Sequence, residues 1–413
     1  MYILYKIRIE VTMSESKENK SIKISLKHLI FIIMIIVFII VLLITVIINL
    51  MNIKGNTDEN TARDLRLIQT QSSIETNAEK KESELIEVVP TLLDEITTNS
   101  AWCGTFQLVW NDVKKDLAKQ DIIFNKQLAV VDNLNKETFK EKDISSKYYY
   151  KTWGKKSIQL KSKIEKGIKG KFNQKSDILD SINWNAKGDE YLFYTLLYKE
   201  FNFKNNFNEL DSDEFYSNTE TYSDINYFGI SSDSDSKLYS QVNILYYNSK
   251  NDYAVSLETK EDDEIILAVG NNDITFSSIY NSIVEKTNSY TGNIEFGEND
   301  FLKVPNLKMN IEKNFSELTT DGSNPDKYFY DYMGNTCYLT DAMQTINLEL
   351  DKSGGKIKSE SAIGTYTFGV EINREPEKRY FYFDEEFTIF IKEKGKEVPY
   401  FAANISNIKL FQE

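Results

Sequence analysis

The side chains that usually carry enzyme chemistry are scarce in this chain, and their scarcity narrows its function. There is one histidine in 413 residues, His28, and it sits beside an apolar run rather than in the polar body of the chain. The polar body of the chain therefore has no imidazole, so neither a Ser-His-Asp nor a Cys-His nucleophile pair can form there near neutral pH, and a His-x-x-x-His zinc site is excluded. No Gly-x-x-x-x-Gly-Lys-Ser/Thr loop is present for phosphate. The 63 Asp and Glu residues leave carboxylate pairs open as acid–base machinery. Ser231 to Ser236 offers oxygen ligands but lacks the glycine and closing glutamate of a calcium loop, and reads as a solvated turn. Two cysteines, Cys103 and Cys337, are too few for a disulfide framework. They are either a single bridge or two separate core thiols, and the second reading is preferred. No metal or cofactor is expected, and the chain is not read as an enzyme.

A different chemistry is written near the C-terminus, where backbone rather than side chains would do the work. Ala342 to Leu350 alternates apolar Ile346, Leu348 and Leu350 with polar neighbours, as a half-buried strand does. Asp351, Lys352, Ser353, Gly354 and Gly355 break it. Lys356 to Thr367 should then be a loop, yet Gly355, Ile357, Ser359, Ser361 and Ile363 are small or apolar between charged Lys356, Lys358 and Glu360. That is period two, in a segment able to become a strand. The core resumes only with Tyr380–Phe383, Phe387–Ile391 and Tyr400–Ile405. A connection of this length is uncommon unless it is functional.

The elements that would position this loop follow from periodicity. A helix is expected from Ala78 through Leu85, Ile86, Val88, Val89, Leu92, Leu93 and Ile96, with Pro90 interrupting it. Further helices are expected over Phe106–Lys119, Ile158–Phe172 and Phe276–Val284. Strands are expected at Tyr191–Tyr198, Val242–Tyr247, Tyr253–Leu257 and Ile265–Val269, then across Phe301–Met309.

Residues 29–51 carry no charge and are nearly all Ile, Leu, Val, Phe and Met, long enough for a membrane span of roughly 20 residues. Lys17, Lys20, Lys23 and Lys27 precede the run, so the positive-inside rule keeps residues 1–28 cytoplasmic. Residues 52–77 read as a polar stalk, and 78–413 as a domain outside the cell. The net charge is −14. Six basic against three acidic residues before Asn52 leave the remainder at −17, which gives no electrostatic footprint for nucleic acid. The abundance of Ile, Lys, Asn and Tyr suggests an AT-rich, Gram-positive source.

The C-terminal arrangement resembles the serpin superfamily. There, a strand ending in an acidic-glycine hinge leads to a reactive-centre loop, then a Phe-x-x-Asp-x-x-Phe strand start and a terminal core hairpin. Here these stand as Leu348–Gly355 and as Phe381, Asp384 and Phe387. Tyr198, Phe203 and Phe207 match the aromatic positions that follow the family's central strand, although each reads equally well as ordinary core. Asn99 falls where the family has a buried Asn, but the Ser-Pro that should follow is absent. Phe301–Met309 resembles a family strand that precedes a helix leading toward the hinge.

The resemblance implies an α+β fold of mixed β-sheets with surrounding helices and a long exposed C-terminal loop. It implies a hinge over Asp351–Glu360, a bait bond near Thr367, Phe368 and Gly369, and a serine or cysteine protease as partner. In the family, a protease cuts the bait and the cleaved loop enters a sheet as a new strand. Branched Ile357 is expected to crowd that sheet by about 1–3 kcal/mol. The leading expectation is therefore a membrane-anchored serpin-like module that is non-inhibitory or weakly inhibitory. The first alternative is a suicide-substrate inhibitor of an extracellular protease. The second is a surface enzyme or receptor of another fold.

Overall fold

The computed structural model describes residues 86–97, 99–185, 189–217, 220–270, 273–358 and 378–412. All of these fall within the unit Lys80–Glu413. The expected cytoplasmic tail, membrane span and stalk lie outside the described residues. Among the described residues no helix is long and apolar enough to cross a membrane.

The core is a seven-stranded sheet. Its order is β1 (Glu87–Val88), β2 (Ser100–Cys103), β19 (Phe401–Ile405), β18 (Phe387–Glu393), β10 (Asp263–Val269), β9 (Asp252–Glu258) and β8 (Val242–Ser249). The pairs are antiparallel except the parallel β1–β2. Strands β10, β18 and β19 are buried at every residue, so both faces of this sheet must be covered. One face takes the helix α4 (Phe276–Ser289), whose Phe276 and Tyr280 rings pack on Phe390. The opposite face takes aromatic residues from a second sheet, ordered β17 (Arg379–Tyr382), β11 (Asp300–Pro305), β7 (Thr221–Ile230) and β6 (Asn208–Tyr216). Phe381 of β17 is fully buried there, with its ring 5.1 Å from Tyr247, 5.5 Å from Tyr253 and 5.8 Å from Phe296.

A third sheet is ordered β12 (Leu307–Asn314), β15 (Met343–Asp351), β16 (Gly354–Ile357) and β5 (Lys199–Asn202). Strand β5 continues β4 (Tyr191–Leu197), which pairs with β3 (Tyr149–Lys155). On one side of β3 and β4 lies α3 (Ile158–Phe172). It begins with the Ser157 hydroxyl accepting from Leu160 N and ends at Asn173, with φ +54°. Its stripe of Leu160, Ile164 and Ile168 packs on Leu192, Tyr194 and Leu196, as the helical period requires. Behind the other face runs α1 (Thr105–Asp112), which widens into a π-helical turn over Val113–Ala118 and stops at left-handed Lys119. The remaining elements are the short helix α2 (Ala129–Asn135) and a hairpin of β13 (Phe329–Tyr330) and β14 (Thr336–Cys337).

The α+β class and most element positions follow the sequence expectation, with two corrections. The expected opening helix is not formed over Ile86–Ile96. Glu87 N and Val89 N donate to Asn99 O and Ala101 O, so this stretch edges the core sheet. Pro90 forces its predecessor toward extended backbone, and β-branched Ile86, Val88 and Val89 favour that state. Among the described residues no α-helix lies between β12 and β15. Asp321-Gly322-Ser323-Asn324-Pro325 turns the chain there instead, through the one-turn 3-10 helix Pro325–Lys327. The cysteines agree with the preferred reading of two separate thiols: Cys103 is buried in β2, Cys337 is half-buried in β14, and no disulfide joins them. Asn99 is half-buried, and its Oδ1 accepts from the backbone N–H groups of Ser406 and Asn407.

Phe381→Ala should cost about 3–5 kcal/mol, since it empties a ring-sized site between two sheets. Urea unfolding followed by tyrosine fluorescence would report that loss.

Candidate functional site: a seated hinge strand above an open gap

The residues expected as a hinge, from Asp351 to Lys358, form the turn from β15 to β16 and the strand that follows it. Asp351 Oδ1 accepts from Ser353 N at 2.7 Å, closing the turn, and Lys352 pairs with Glu209. The turn carbonyls are held from below. Phe207 N donates to Lys352 O and Phe203 N to Ser353 O. The rings of Phe203 and Phe207 meet edge-to-face at 4.7 Å and both lie near Phe228. The aromatic positions flagged in the sequence therefore form the bed of the hinge, while Tyr198 packs separately against Phe172.

Gly354 and Gly355 are demanded by close approach. Gly354 has φ +144°, and a Cβ there would stand 2.2 Å from Phe201 O. A Cβ on Gly355 would stand 2.5 Å from Glu349 O and 2.6 Å from the Phe201 ring. With no side chains to exclude it, the backbone slides between two strands. Gly354, Gly355, Lys356 and Ile357 pair with Asp351, Leu350, Glu349 and Leu348 on one side, and with Asn202, Phe201, Glu200 and Lys199 on the other. The expected loop thus begins as a strand. Gly355 and Ile357 point inward as period two requires, and Ile357 is completely buried.

The hinge strand stops at Lys358, whose N donates to Asn347 O and whose ammonium pairs with Asp177 at 2.6 Å. Asp177 follows α3 and also accepts from Asn347 Nδ2 at 3.3 Å, so three segments meet at this point. Ser359 and Glu360 of the expected hinge, and Thr367, Phe368 and Gly369 of the expected bait, lie outside the described residues. The described chain resumes at Lys378, and Arg379 makes a two-pronged contact with Asp300, at 2.8 and 2.9 Å.

Among the described residues β4 pairs with β3 alone, and β15 from Met343 to Ile346 pairs with β12 alone. Between these two edges lies a cavity of about 700 Å³. Its apolar lining includes Phe106, Val109 and Trp110 of α1, together with Phe193 and Leu197 of β4. Two buried polar atoms on its walls, Thr195 Oγ1 and Gln344 Oε1, have no hydrogen-bond partner among the described residues. Sheet edges normally pair or are covered, because each open N–H and C=O is a template for another strand.

A buried ion pair braces the top of the gap. Lys199, opposite Ile357, pairs with Asp263 with both side chains out of solvent. The ammonium also sits 4.0 Å from the centre of the Tyr148 ring, and Tyr400 donates to Asp263 Oδ1 at 3.4 Å. Burial outweighs the attraction of Lys199 and pushes the Asp263 carboxyl up to about 7. Periodicity did not single out Lys199, Asp263, Asp177, Thr195 or Gln344. The one signal was a lysine on the inward parity of an otherwise apolar strand.

No family model matches the chain, and no curated protein matches it in sequence. Among solved structures it is similar to thyroxine-binding globulin in complex with thyroxine, at 12% identity and a TM-score of 0.38, covering 60% of this chain and 65% of that one. It is similar to Serpin48 of the insect Tenebrio molitor, at 14% identity and 0.34, covering 61% and 66%. It is also similar to a cleaved Serpin 42Da, at 13% identity and 0.39, covering 60% and 66%. The chain spans just under two thirds of the length of each.

Two outcomes follow from this geometry. Gly354→Ala should lift β16 out of the sheet, at a cost of about 1–3 kcal/mol. Hydrogen exchange would show it as lost protection confined to residues 354–358. The raised Asp263 pKa means that the folded state binds the proton more tightly than the unfolded state. Its contribution to stability is therefore full below the ordinary carboxylate range and is lost as pH rises through about 7. Between pH 4 and 7, the urea midpoint of the protein should fall relative to that of Asp263→Asn.

Proposed function

We propose that this is a serpin-like strand-uptake protein, tethered at the cell surface through residues 29–51. It offers the segment after Lys358 to a serine or cysteine protease and takes the cleaved segment into the gap between β4 and β15. The observation that carries this reading is that β16 is already seated, in register between β15 and β5, at the head of a cavity whose two flanking strands do not pair with each other among the described residues. Strand addition there would satisfy rows of open backbone groups, and that free energy is the drive for uptake.

In the reaction the resemblance implies, the protease nucleophile attacks the carbonyl carbon of the bait residue near Phe368. The peptide bond breaks, the new amine of the following residue leaves, and the acyl-enzyme is carried with the moving strand before water can hydrolyse it. The expected crowding by Ile357 does not bar this path, because that side chain is already seated between Leu348 and Lys199. A second reading, a surface module that is cut without trapping, is favoured by the Lys358–Asp177 ion pair. That contact ties down the strand end and would slow uptake past the lifetime of the acyl-enzyme.

The full-length chain, detergent-solubilised and nicked between Ser361 and Arg374, should unfold about 10 °C or more above the intact chain if several residues of strand are gained. Incubation with a panel of serine and cysteine proteases should give a covalent complex that survives denaturing gels. A raised midpoint without such a complex would select the second reading. An unchanged midpoint would sink strand uptake altogether.

A further inference from the structure

Helix α3 carries a charge opposite to that of the chain around it. Residues 158–175 hold Lys161, Lys163, Lys166, Lys169, Lys171 and Lys175 against Glu165 alone, a net +5, while the rest of the chain after residue 51 carries −22. The stripe of Leu160, Ile164 and Ile168 is buried against β4, so the helical period turns Lys163, Lys166 and Lys169 away from the domain. All three are exposed, as is Lys175 beyond the helix end. The nearby carboxylates are already engaged, Asp177 with Lys358, Asp180 with Lys161 and Asp189 with Lys155. Glu165 reaches Lys161 at 3.9 Å. Among the described residues Lys163, Lys166, Lys169 and Lys175 have no carboxylate partner, and Lys163 donates to the Thr152 hydroxyl at 2.9 Å.

The helix dipole accounts for basic residues in the last turn, Lys169 and Lys171. It does not account for Lys163 and Lys166 in the middle of the helix, nor for Gly170. That glycine is exposed on the lysine face and has nothing within 4 Å of the place its Cβ would take. Glycine weakens a helix, and packing within the domain gives no reason for one here. Its effect is a patch of bare backbone between lysine stems, where a flat surface can come close.

We propose that this face of α3 docks on the anionic phospholipid headgroups of the bilayer that holds the chain. The inference rests on the tether at residues 29–51 and is independent of strand uptake. Ammonium groups are compact point charges that meet phosphate without a fixed geometry, and a cluster of four or more on an amphipathic helix is the usual footprint for an acidic lipid surface. Whatever conformation residues 52–85 adopt, these 34 residues span at most about 120 Å. The domain is thus confined beside the bilayer, where weak contacts suffice, an advantage that a soluble polyanion lacks. The helix also opens with Ile158, 63% exposed, an apolar side chain suited to the headgroup boundary. The acidity of the remaining domain does not oppose docking, because charges farther than about 8 Å are screened at physiological salt.

The test reconstitutes the full chain in nanodiscs of phosphatidylcholine, with or without phosphatidylglycerol, and measures amine labelling of each lysine by mass spectrometry. Labelling of Lys163, Lys166, Lys169 and Lys175 should fall about fivefold in the anionic discs, while exposed Lys126 and Lys237 stay unchanged. The protection should vanish in about 1 M salt, where screening shortens to about 3 Å. In a chain carrying Lys163→Gln, Lys166→Gln and Lys169→Gln, all at exposed positions, Lys175 should label equally in both discs. Equal labelling of the unaltered inserted chain in both discs would overturn the proposal and leave strand uptake untouched. Protection by added soluble polyphosphate, but not by phosphatidylglycerol, would overturn it in favour of a free polyanion. A chain that does not enter the bilayer would remove the tether and this inference together.

Discussion

The constraint around which this domain is organised is a pair of strands, β4 and β15, that flank a cavity and do not pair with each other among the described residues. Strands β4 and β15 run side by side without bonding to each other, because β16 wedges β5 from β15 higher up and α1 fills the space behind them. A sheet edge left open is ordinarily a hazard, since it invites pairing by any extended chain. Here the two edges face one another across a cavity lined by both apolar and polar side chains, Phe106, Trp110 and Phe193 beside Thr195, Asp341 and Gln344.

Keeping such a gap open requires rigid walls, and the rest of the fold supplies them. Strands β10, β18 and β19, covered on both faces, hold the core sheet fixed and carry Asp263, the partner of Lys199 at the head of the gap. The aromatic packing of Tyr247, Tyr253, Phe296 and Phe381 ties the second sheet to the first, and with it the point where the chain re-enters after residues 359–377. On the other side, α3 anchors β4 through Leu160, Ile164 and Ile168, and the segment that follows brings Asp177 to Lys358. The buried Lys199–Asp263 pair is a weak source of stability, because taking both charges out of water offsets most of their attraction. Its place opposite Ile357 makes it a marker of register instead.

Much of this was legible in the chain itself. The alternation from Ile346 to Leu350, the Gly-Gly break, the returning period two after it and the buried run of Phe387–Ile391 each write their own local structure. So do the stripes of α3 and α4. The sequence misled where a local pattern had two readings. Ile86 to Ile96 shows helical spacing, yet Pro90 and neighbouring β-branched residues fit an edge strand equally well, and the open backbone of β2 decided the matter.

What the sequence by itself determined, then, was the place of most strands and helices, and that the segment after Gly354 could become a strand. Tertiary structure alone decided that four hinge residues are already seated, which strands flank them, and that Thr195, Gln344, Lys199 and Asp263 stand where they do. The physical reason is range. Periodicity reports which side of an element is buried, a property of near neighbours along the chain. Register between strands far apart in sequence is set by the packing of the whole core, and no local pattern carries it.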